Sequence, residues 1–272
     1  MLACDSAAML SEASVIKAQL PVEGIMAGTS TRIGGMSLAP WNQLNLGLHV
    51  GDNPSHVGLN RQLLSDYLAW ENPAAWLNQV HGDQVIEVDR FSLRVDESLL
   101  QADGAFTLQY HLPLVIQTAD CLPIVFASTQ NTWIGAVHCG WRSLAANIIQ
   151  KLVATHQGEA SDLVCWLGPC LSQANFQVGE DVLEAFVAAP IKNPQYAPFF
   201  QAEENNKWRF DLQGLAIYQL QELGITQIFS ARDQENTPCC TFADAQRFFS
   251  YRREPITGRM VTFIYRTRPS VI

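Results

Sequence analysis

The chain has 272 residues, of which 48% are hydrophobic and 16% are charged. A composition this apolar can bury a substantial core, so it excludes an intrinsically disordered protein. The formal net charge is -9 and no Lys/Arg run extends beyond Arg252–Arg253, which excludes the basic stripe typical of a nucleic-acid binder. No apolar run approaches the roughly 20 residues of a membrane-spanning helix, so no membrane partner is expected.

The cysteines and the first residues indicate the compartment. The number of cysteines is odd and no CxxC spacing occurs, which disfavours a disulfide framework and favours reducing conditions. Residues 1–20 lack the basic start and continuous apolar stretch of a signal peptide. We therefore predict a cytoplasmic protein with seven thiols, at positions Cys4, Cys121, Cys139, Cys165, Cys170, Cys239 and Cys240.

The N-terminal third predicts a loop, a helix and a pair of strands. The glycine pair at 34–35 and the stretch Leu38–Gly51 are typical of a long ordered loop. Asn53 resembles a helix N-cap followed by Pro54 at the first helical position, and apolar spacing extends the helix to about residue 69. Alternation over residues 75–89 predicts paired strands with their turn at 81–83.

The middle of the chain predicts buried strands. Residues 113–127 form one apolar run that is interrupted at Thr118–Pro123, where a proline in mid-pattern indicates a bulge or break. Trp133–His138 is predicted as the next strand and is followed by a helix to about residue 153. Leu163–Leu167 is a further short strand.

The last third completes the fold class. Asp181–Ala188 is predicted to be helical, and Asp211 is predicted to cap a helix that ends at Gly224. Strands are expected at 228–230 and, as a hairpin, at 248–252 and 260–265. Hairpins mixed with strand–helix units favour an α+β fold, with mixed β-sheets covered by helices, over a doubly wound parallel sheet. Nothing resembling a linker divides the chain, so residues 1–272 are predicted to form a single domain.

Three residues on three separate segments have the chemistry of a metal site. His81, Cys121 and His138 offer two imidazoles and a thiol, the ligands that zinc prefers. Three protein ligands leave a fourth tetrahedral position open, as in catalytic zinc sites. Taken singly, each residue has a plainer interpretation as a turn histidine or a buried thiol.

Polar residues near these three are weaker candidates. Asp120 adjoins Cys121 and could orient a metal ligand, accept a proton or cap the local turn. Asn45, His49 and Asp52 lie on the long loop, where polar residues either line a pocket or form turns.

Several motifs of the chain resemble one family. They are STRIGGMS, NLGLHVGDNPSHVGLNR, NQVHGDQV, ADGAFT, TADCLPIVF, GAVHCGWR, WLGPC, FFSYRRE and TGRM. Together they are similar to the YfiH/laccase-domain (FAMIN-like) family. That resemblance implies a layered α/β/β/α arrangement and a zinc-dependent purine nucleoside phosphorylase with adenosine deaminase and methylthioadenosine phosphorylase activity. It also implies that the metal ligands are His81, Cys121 and His138.

A phosphorylase needs cationic groups for its phosphate. Arg142 lies near the predicted start of a helix, where anions are favoured. Arg61, Arg247 and Arg252 are further candidates from the family motifs. The chain departs from the family where Cys139, Ser143 and Tyr251 replace the usual Ala, Gly and His; Cys139 is expected to face away from His138 if the strand continues.

Other functions remain open at this point. The laccase name suggests a copper-dependent polyphenol oxidase, although the chain has only six histidines and no H-x-H pair. A thiol hydrolase, with Cys121 as nucleophile and His138 as base, would fit an editing role in cell-wall precursor metabolism. A binding module with a structural zinc would normally need four protein ligands. The H-x-E and PCxxC signature of known nucleobase deaminases is missing.

Overall fold

The computed structural model describes residues 10–94, 96–187 and 194–268. Cys4, residues 1–9 of the segment considered for a signal peptide, and Ala188 lie outside the described residues. The described helices are α1 (Pro54–Tyr67), α2 (Trp141–Ala145), α3 (Ile148–Val153), α4 (Glu180–Val187) and α5 (Leu212–Glu222). The described strands are β1 (Val15–Lys17), β2 (Ile25–Ser30), β3 (Val85–Glu87), β4 (Gly104–Thr107), β5 (Leu114–Thr118), β6 (Leu122–Ser128), β7 (Ile134–Cys139), β8 (Leu163–Leu167), β9 (Gln177–Val178), β10 (Phe200–Glu203), β11 (Lys207–Phe210), β12 (Gln227–Ser230) and β13 (Met260–Arg266).

These strands form three sheets in the described part of the chain. A four-stranded antiparallel sheet has the order β1-β2-β13-β5. A six-stranded mixed sheet has the order β12-β8-β6-β7-β4-β3, with parallel pairs only at its two edges. A small antiparallel sheet, β10-β11-β9, lies beyond them.

Helices cover the outer faces of the two large sheets. Residues of β5 and β13 alternate between two cores: Ile116 and Ile264 face the six-stranded sheet, whereas Val115 and Phe263 pack beneath α1. The other face of the six-stranded sheet packs against α2 to α5. Strands β5, β6 and β7 are buried at every position. Because both faces of such strands are buried, their sequences are continuous apolar runs. The predicted fold class, with its α/β/β/α layers, is confirmed.

The local start signals predicted the helices well. The Asn53 side chain accepts a hydrogen bond from the Ser55 N–H and Pro54 begins α1. The Asp211 side chain accepts one from the Gly214 N–H and caps α5. The single helix predicted after β7 is instead two short helices, because Asn147 adopts a left-handed conformation with φ 62° between them. Asn tolerates that region better than most residues do.

Two predicted strand pairings are wrong. Residues 75–89 do not form a hairpin: only β3 is a strand, and it pairs in parallel with β4. Residues 248–252 form no strand: 248–250 are irregular and 251–252 lie in a turn. Their predicted partner β13 instead lies between β2 and β5. Alternation indicates that a segment is extended but does not name its partner, which explains both errors.

The predicted break at Thr118–Pro123 marks a change of sheet. The chain leaves the four-stranded sheet at the end of β5 and enters the six-stranded sheet at the start of β6. Asp120 lies in the connection with φ 97°, a conformation that few non-glycine residues adopt. Cys121 follows it and so lies between the two sheets. No helix of the described residues is long and apolar enough to cross a bilayer.

Candidate active site

The structure brings His81, Cys121 and His138 together. Their ligand atoms all lie within 4.8 Å of one another, and we call the three residues the His–Cys–His cluster. The Cys121 Sγ is 3.9 Å from the His81 Nε2. The two imidazole rings stand almost perpendicular, with centroids 4.8 Å apart. These residues come from a turn before β3, the crossing between the sheets and the end of β7, so the cluster depends on the tertiary fold.

A buried aspartate orients His138. The Asp103 Oδ1 is 2.7 Å from the His138 Nδ1, and the His138 backbone N–H donates to the Asp103 carbonyl. Burial lowers the pKa of His138, but the neighbouring Cys121 and Asp103 outweigh it and raise that pKa to about 9. Because Nδ1 is engaged with the carboxylate, the Nε2 is left as the free ligand atom. This carboxylate–imidazole pairing is typical of metal sites.

The same aspartate holds the His81 turn. The Asp103 carboxylate accepts hydrogen bonds from the backbone N–H groups of Val80, His81 and Gly82, at 3.1, 3.0 and 2.7 Å. His81 has φ 60°, a left-handed conformation that three donors to one carboxylate stabilise. Sequence reasoning missed Asp103; the available signal was an acidic residue directly before the buried strand β4.

Cys121 is an acidic thiol in this arrangement. Burial alone would raise its pKa, but the positive charge of His138 and hydrogen bonds with both histidines lower it to about 6. Cys139, the next cysteine along β7, lies in the core on the opposite face, as predicted. Burial raises the pKa of Cys139 well above its usual range. Cys121 is therefore the thiolate of the site.

Asp120 is tied to neighbouring loops. Its Oδ1 accepts a hydrogen bond from the Thr241 hydroxyl and its Oδ2 accepts one from the Arg252 backbone N–H, both at 2.6 Å. Its carbonyl accepts from the Leu171 N–H. The carboxylate thus fixes the turn that carries Cys121. Of the three roles considered for Asp120, the geometry favours capping and orientation.

Gly140 leaves space between the three residues of the His–Cys–His cluster. A Cβ placed on this residue would lie 3.2 to 3.4 Å from side-chain atoms of His81, Cys121 and His138. Only a residue without a side chain leaves that space to a bound ion or substrate. The Gly140 backbone has φ -61°, so conformational freedom is not the reason for glycine here.

A cavity of about 490 Å³ opens onto the cluster. Arg142 and Arg252, two of the predicted phosphate ligands, line it. Arg142 stacks on Trp141 with its guanidinium carbon 4.1 Å from the ring centroid, and Arg252 contacts Phe176 at 5.5 Å. The wall also includes the predicted His49 and residues that sequence reasoning did not assign, among them Gln79, Gln117, Leu171 and Arg259.

Arg259 is the cationic residue that the sequence reasoning missed. Its Nη1 donates to the carbonyls of Thr257 and Gly258, and burial lowers its pKa. It lies in the TGRM motif directly before β13. Tyr251, which replaces the usual His, also lines the cavity and is about half exposed.

Three of the predicted substrate-binding residues are not among those that line this cavity. Arg61 forms an ion pair with Glu97 at 2.6 Å and stacks on Trp76 at 3.5 Å. Arg247 forms an ion pair with Asp244 at 2.5 Å. Asn45 is fully buried and organises the long loop. The described contacts of these three residues are structural, and their contact with substrate stays a prediction.

The long loop nevertheless supports the cavity wall. The Asn45 Oδ1 accepts hydrogen bonds from the backbone N–H groups of Gly47 and Arg259, and its Nδ2 donates to Asp52. Asp52 also accepts from the Ser37 hydroxyl. Asn45 and Asp52 therefore act on the site indirectly, by holding the backbone that presents Arg259.

Residues 26–267 match the family described as multi-copper polyphenol oxidoreductase laccase. The chain belongs to this YfiH/laccase-domain family. It is 38% identical over 246 residues to a protein of Escherichia coli strain K12 named purine nucleoside phosphorylase YfiH, covering 89% of this chain and 94% of that one. A purine nucleoside phosphorylase of Haemophilus influenzae is also 38% identical, over 244 residues, with 89% and 95% coverage.

Solved structures of YfiH proteins share the fold. A Neisseria meningitidis protein, NMB0706, superposes with a TM-score of 0.85 at 32% identity, covering 94% of this chain and all of that one. YlmD of Geobacillus stearothermophilus superposes with a TM-score of 0.83 at 26% identity, with 96% and 99% coverage. The fold of this chain is therefore shared with these two proteins of Neisseria meningitidis and Geobacillus stearothermophilus.

Proposed function

We propose that this protein is a zinc-dependent purine nucleoside phosphorylase that also deaminates adenosine and cleaves methylthioadenosine. The observation that carries the proposal is the His–Cys–His cluster at the base of a cavity with three arginines on its wall. Relatives at 38% identity bear the name purine nucleoside phosphorylase, which supports purine nucleosides and phosphate as the substrates.

The donor set fits zinc. Imidazole nitrogen and thiolate sulfur are ligands that zinc prefers, and three protein ligands leave the open position of a catalytic site. The carboxylate of Asp103 behind His138 is the usual outer partner of a zinc-bound histidine. Gly140 leaves room at the centre of the three ligands. We assign His81, Cys121 and His138 as the ligands. When bound, zinc supplies a positive charge and a Lewis acid at the base of the cavity.

The copper alternative is less well supported by the lining residues. A copper site built on two histidines and a cysteine has a weak axial ligand, which is methionine, glutamine or a backbone oxygen. Gln79 and Gln117 line this cavity, so the donor set by itself does not separate copper from zinc. The three arginines decide between the two functions, because they suit an anionic substrate better than a neutral phenol.

The protein residues bind and orient the two substrates. Arg142, Arg252 and Arg259 present guanidinium groups that can neutralise phosphate and aim one oxygen at the ribose anomeric carbon. The carbon–nitrogen bond to the purine then breaks, and the base takes up the proton that monohydrogen phosphate gives up as it becomes ribose 1-phosphate. The faces of Trp141 and Phe176 supply apolar surface for the purine. Burial lowers the pKa of His49 on the same wall, which keeps its imidazole neutral near pH 7 and able to exchange hydrogen bonds with the base.

Product analysis tests this function directly. Purified full-length protein is incubated with inosine, adenosine or methylthioadenosine, with and without phosphate. We expect hypoxanthine and ribose 1-phosphate from inosine only when phosphate is present. Adenosine should yield inosine as well as adenine. Absence of any phosphate-dependent base release from the three nucleosides would contradict the proposal. If the copper-loaded protein oxidised phenols instead, the function would be that of a polyphenol oxidase.

A thiol hydrolase is the second candidate, because Cys121 has a pKa of about 6 and lies beside His138. Chelation separates the two functions. Stripping the metal should abolish phosphorolysis, and restoring zinc should recover it. A hydrolase that uses Cys121 as a nucleophile would survive chelation and be destroyed by iodoacetamide.

A further inference from the structure

The backbones of two other cysteines are paired close to the segment that carries Asp120. Cys170 follows β8, and Cys240 lies in the segment between β12 and β13. Their backbones form an isolated parallel β-bridge, and the Thr241 N–H donates to the Cys170 carbonyl at 3.0 Å. Bridged backbones lie about 4.8 Å apart, which falls within the Cα separation of about 4.4–6.8 Å that a disulfide spans. Both thiols are free in this structure.

The Cys240 sulfur is surrounded by hydrogen-bond donors. It accepts from the Ser172 backbone N–H at 3.4 Å, the Ser172 hydroxyl at 3.2 Å and the Asn175 side-chain amide at 3.4 Å. A neutral thiol is a weak acceptor, so this arrangement favours the thiolate. Burial raises the pKa of Cys240, but the hydrogen bonds from Ser172 and nearby backbone N–H groups lower it below its usual value. Cys240 is only half-buried and can meet small solutes.

Cys170 has the complementary properties. Its side chain is 3% exposed and packs in the core beneath the helices. Burial raises its pKa well above the usual value, and the nearby Cys240 raises it further. The pair therefore combines an accessible thiolate with a protected, protonated thiol, which is the arrangement of an attacking and a resolving cysteine.

We propose that Cys170 and Cys240 form a dithiol that a hydroperoxide oxidises reversibly to a disulfide. The Cys240 thiolate attacks one peroxide oxygen, the O–O bond breaks, and the departing hydroxide takes up a proton to become water. The sulfur has then lost two electrons and is a sulfenic acid. Cys170 gives up its proton and attacks that sulfur, the S–O bond breaks, and a second water leaves. The net change is two thiols and one hydrogen peroxide to one disulfide and two waters.

The dithiol is separate from the His–Cys–His cluster but touches its support. Thr241, next to Cys240, donates to the Asp120 carboxylate, and Leu171, next to Cys170, donates to the Asp120 carbonyl. The disulfide would join the two segments that hold this turn. The peroxide chemistry needs neither zinc nor nucleoside, so its test does not depend on the proposed function.

Peptide mapping tests the dithiol. Zinc-loaded full-length protein is treated with hydrogen peroxide, blocked with iodoacetamide and digested without reductant. We expect a cross-linked peptide pair that contains Cys170 and Cys240 and that separates after reduction. Absence of this pair, when peroxide has oxidised other cysteines of the same sample, would overturn the proposal.

Trapping the sulfenic acid identifies which thiol is attacked. In Cys170→Ser the sulfenic acid cannot be resolved, so we expect dimedone to label Cys240 on the order of tenfold more than in the wild type. Cys165→Ser is the matched control, because Cys165 is equally buried on β8 but pairs with Phe126 and Ile228. It should leave the cross-link unchanged. Equal dimedone labelling of Cys240 in the wild type and in Cys170→Ser would overturn the assignment of Cys240 as the attacking thiol and Cys170 as the resolving thiol. If Cys170→Ser does not fold, the presence or absence of the cross-linked peptide in the wild type decides whether the disulfide forms.

The donors around Cys240 provide a finer test. Ser172→Ala removes a hydroxyl that donates to the Cys240 sulfur, so the pKa of this thiol should rise. Oxidation should slow on the order of threefold for each unit by which that pKa rises, because the loss of thiolate outweighs the gain in nucleophilicity. Rescue by Ser172→Thr would indicate that the hydroxyl is responsible. Unchanged oxidation in Ser172→Ala would show that these donors do not activate Cys240.

Discussion

Two buried aspartates support the candidate site, and their carboxylates have different partners. Asp103 contacts the His138 ring and accepts from three backbone N–H groups of the His81 turn. Asp120 accepts from the Thr241 hydroxyl and the Arg252 backbone and has no hydrogen bond to the His–Cys–His cluster among the described contacts. Asp120 is next to a ligand in sequence, whereas Asp103 is distant in sequence and in direct contact.

The two carboxylates differ in whether they act on a metal ligand or on the backbone around it. A carboxylate bonded to the ring of a ligand fixes its tautomer and raises its basicity, so its loss changes the affinity for the metal. A carboxylate bonded to backbone and hydroxyl groups fixes loop geometry, so its loss changes stability more than chemistry. Adjacency in sequence does not decide between these roles.

Replacing Asp103 by alanine should have the largest effect. The variant leaves a buried His138 and three N–H groups without their acceptor, so we expect a loss of about 3–5 kcal/mol of unfolding free energy. The bound zinc should also be lost. Denaturant unfolding followed by circular dichroism, together with metal analysis, measures both changes.

Asp103→Asn separates the two effects. It keeps the shape but removes the charge, and we expect zinc affinity to fall about 10–100-fold with smaller destabilisation. Full zinc affinity in this variant would mean that Asp103 merely packs against His138.

Gly140→Ala should fill the centre without unfolding the chain. The new methyl group would lie 3.2 to 3.4 Å from the three ligand residues, and the φ of -61° accepts alanine. We expect a penalty of about 1–3 kcal/mol, expressed as weaker zinc binding and lower turnover. Titration of the zinc-free protein measures it. Gly58→Ala is the control, because a Cβ there meets no atom within 4 Å.

The helix caps were predictable because their signals are local. The His–Cys–His cluster joins three distant segments, so it was predicted from the residue types together with the resemblance to a family. The break at Asp120 was also visible, since a proline interrupted an apolar run. The sequence did not reveal Asp103, because acidic residues often precede strands. Only the folded structure shows that Asp103 contacts His138. Arg61 was assigned to substrate from a motif, yet its guanidinium is engaged by Glu97. Strand partners were also missed, because β13 pairs with segments that are far away along the chain and the sequence pattern does not identify them.

Arg142 and Arg61 differ in the same way, because one lines the cavity and the other forms an ion pair with Glu97. Arg142 lines the cavity, so Arg142→Ala should raise the KM for phosphate about tenfold while changing the KM for nucleoside less, as expected for one charge-assisted hydrogen bond. Arg61→Ala should instead lower stability by about 1–3 kcal/mol with the phosphate KM unchanged. Steady-state kinetics at varied phosphate, with thermal unfolding of both variants, measures this. The reverse pattern would return Arg61 to the substrate site and remove Arg142 from it.

Asp120→Asn should have the smallest effect and decides the role of that residue. The amide oxygen can still accept from the Arg252 N–H and the amide N–H can donate to the Thr241 hydroxyl, so both contacts persist but lose the negative charge, at a cost of about 1 kcal/mol. Zinc content should be unchanged, and turnover should fall less than about tenfold, since a general base contributes typically 10²–10⁴-fold. Thr241→Val removes a donor to the same carboxylate and should reproduce the stability loss. If Asp120→Asn loses a factor of about 10² or more in kcat while Thr241→Val remains active, Asp120 transfers a proton and the contrast with Asp103 fails.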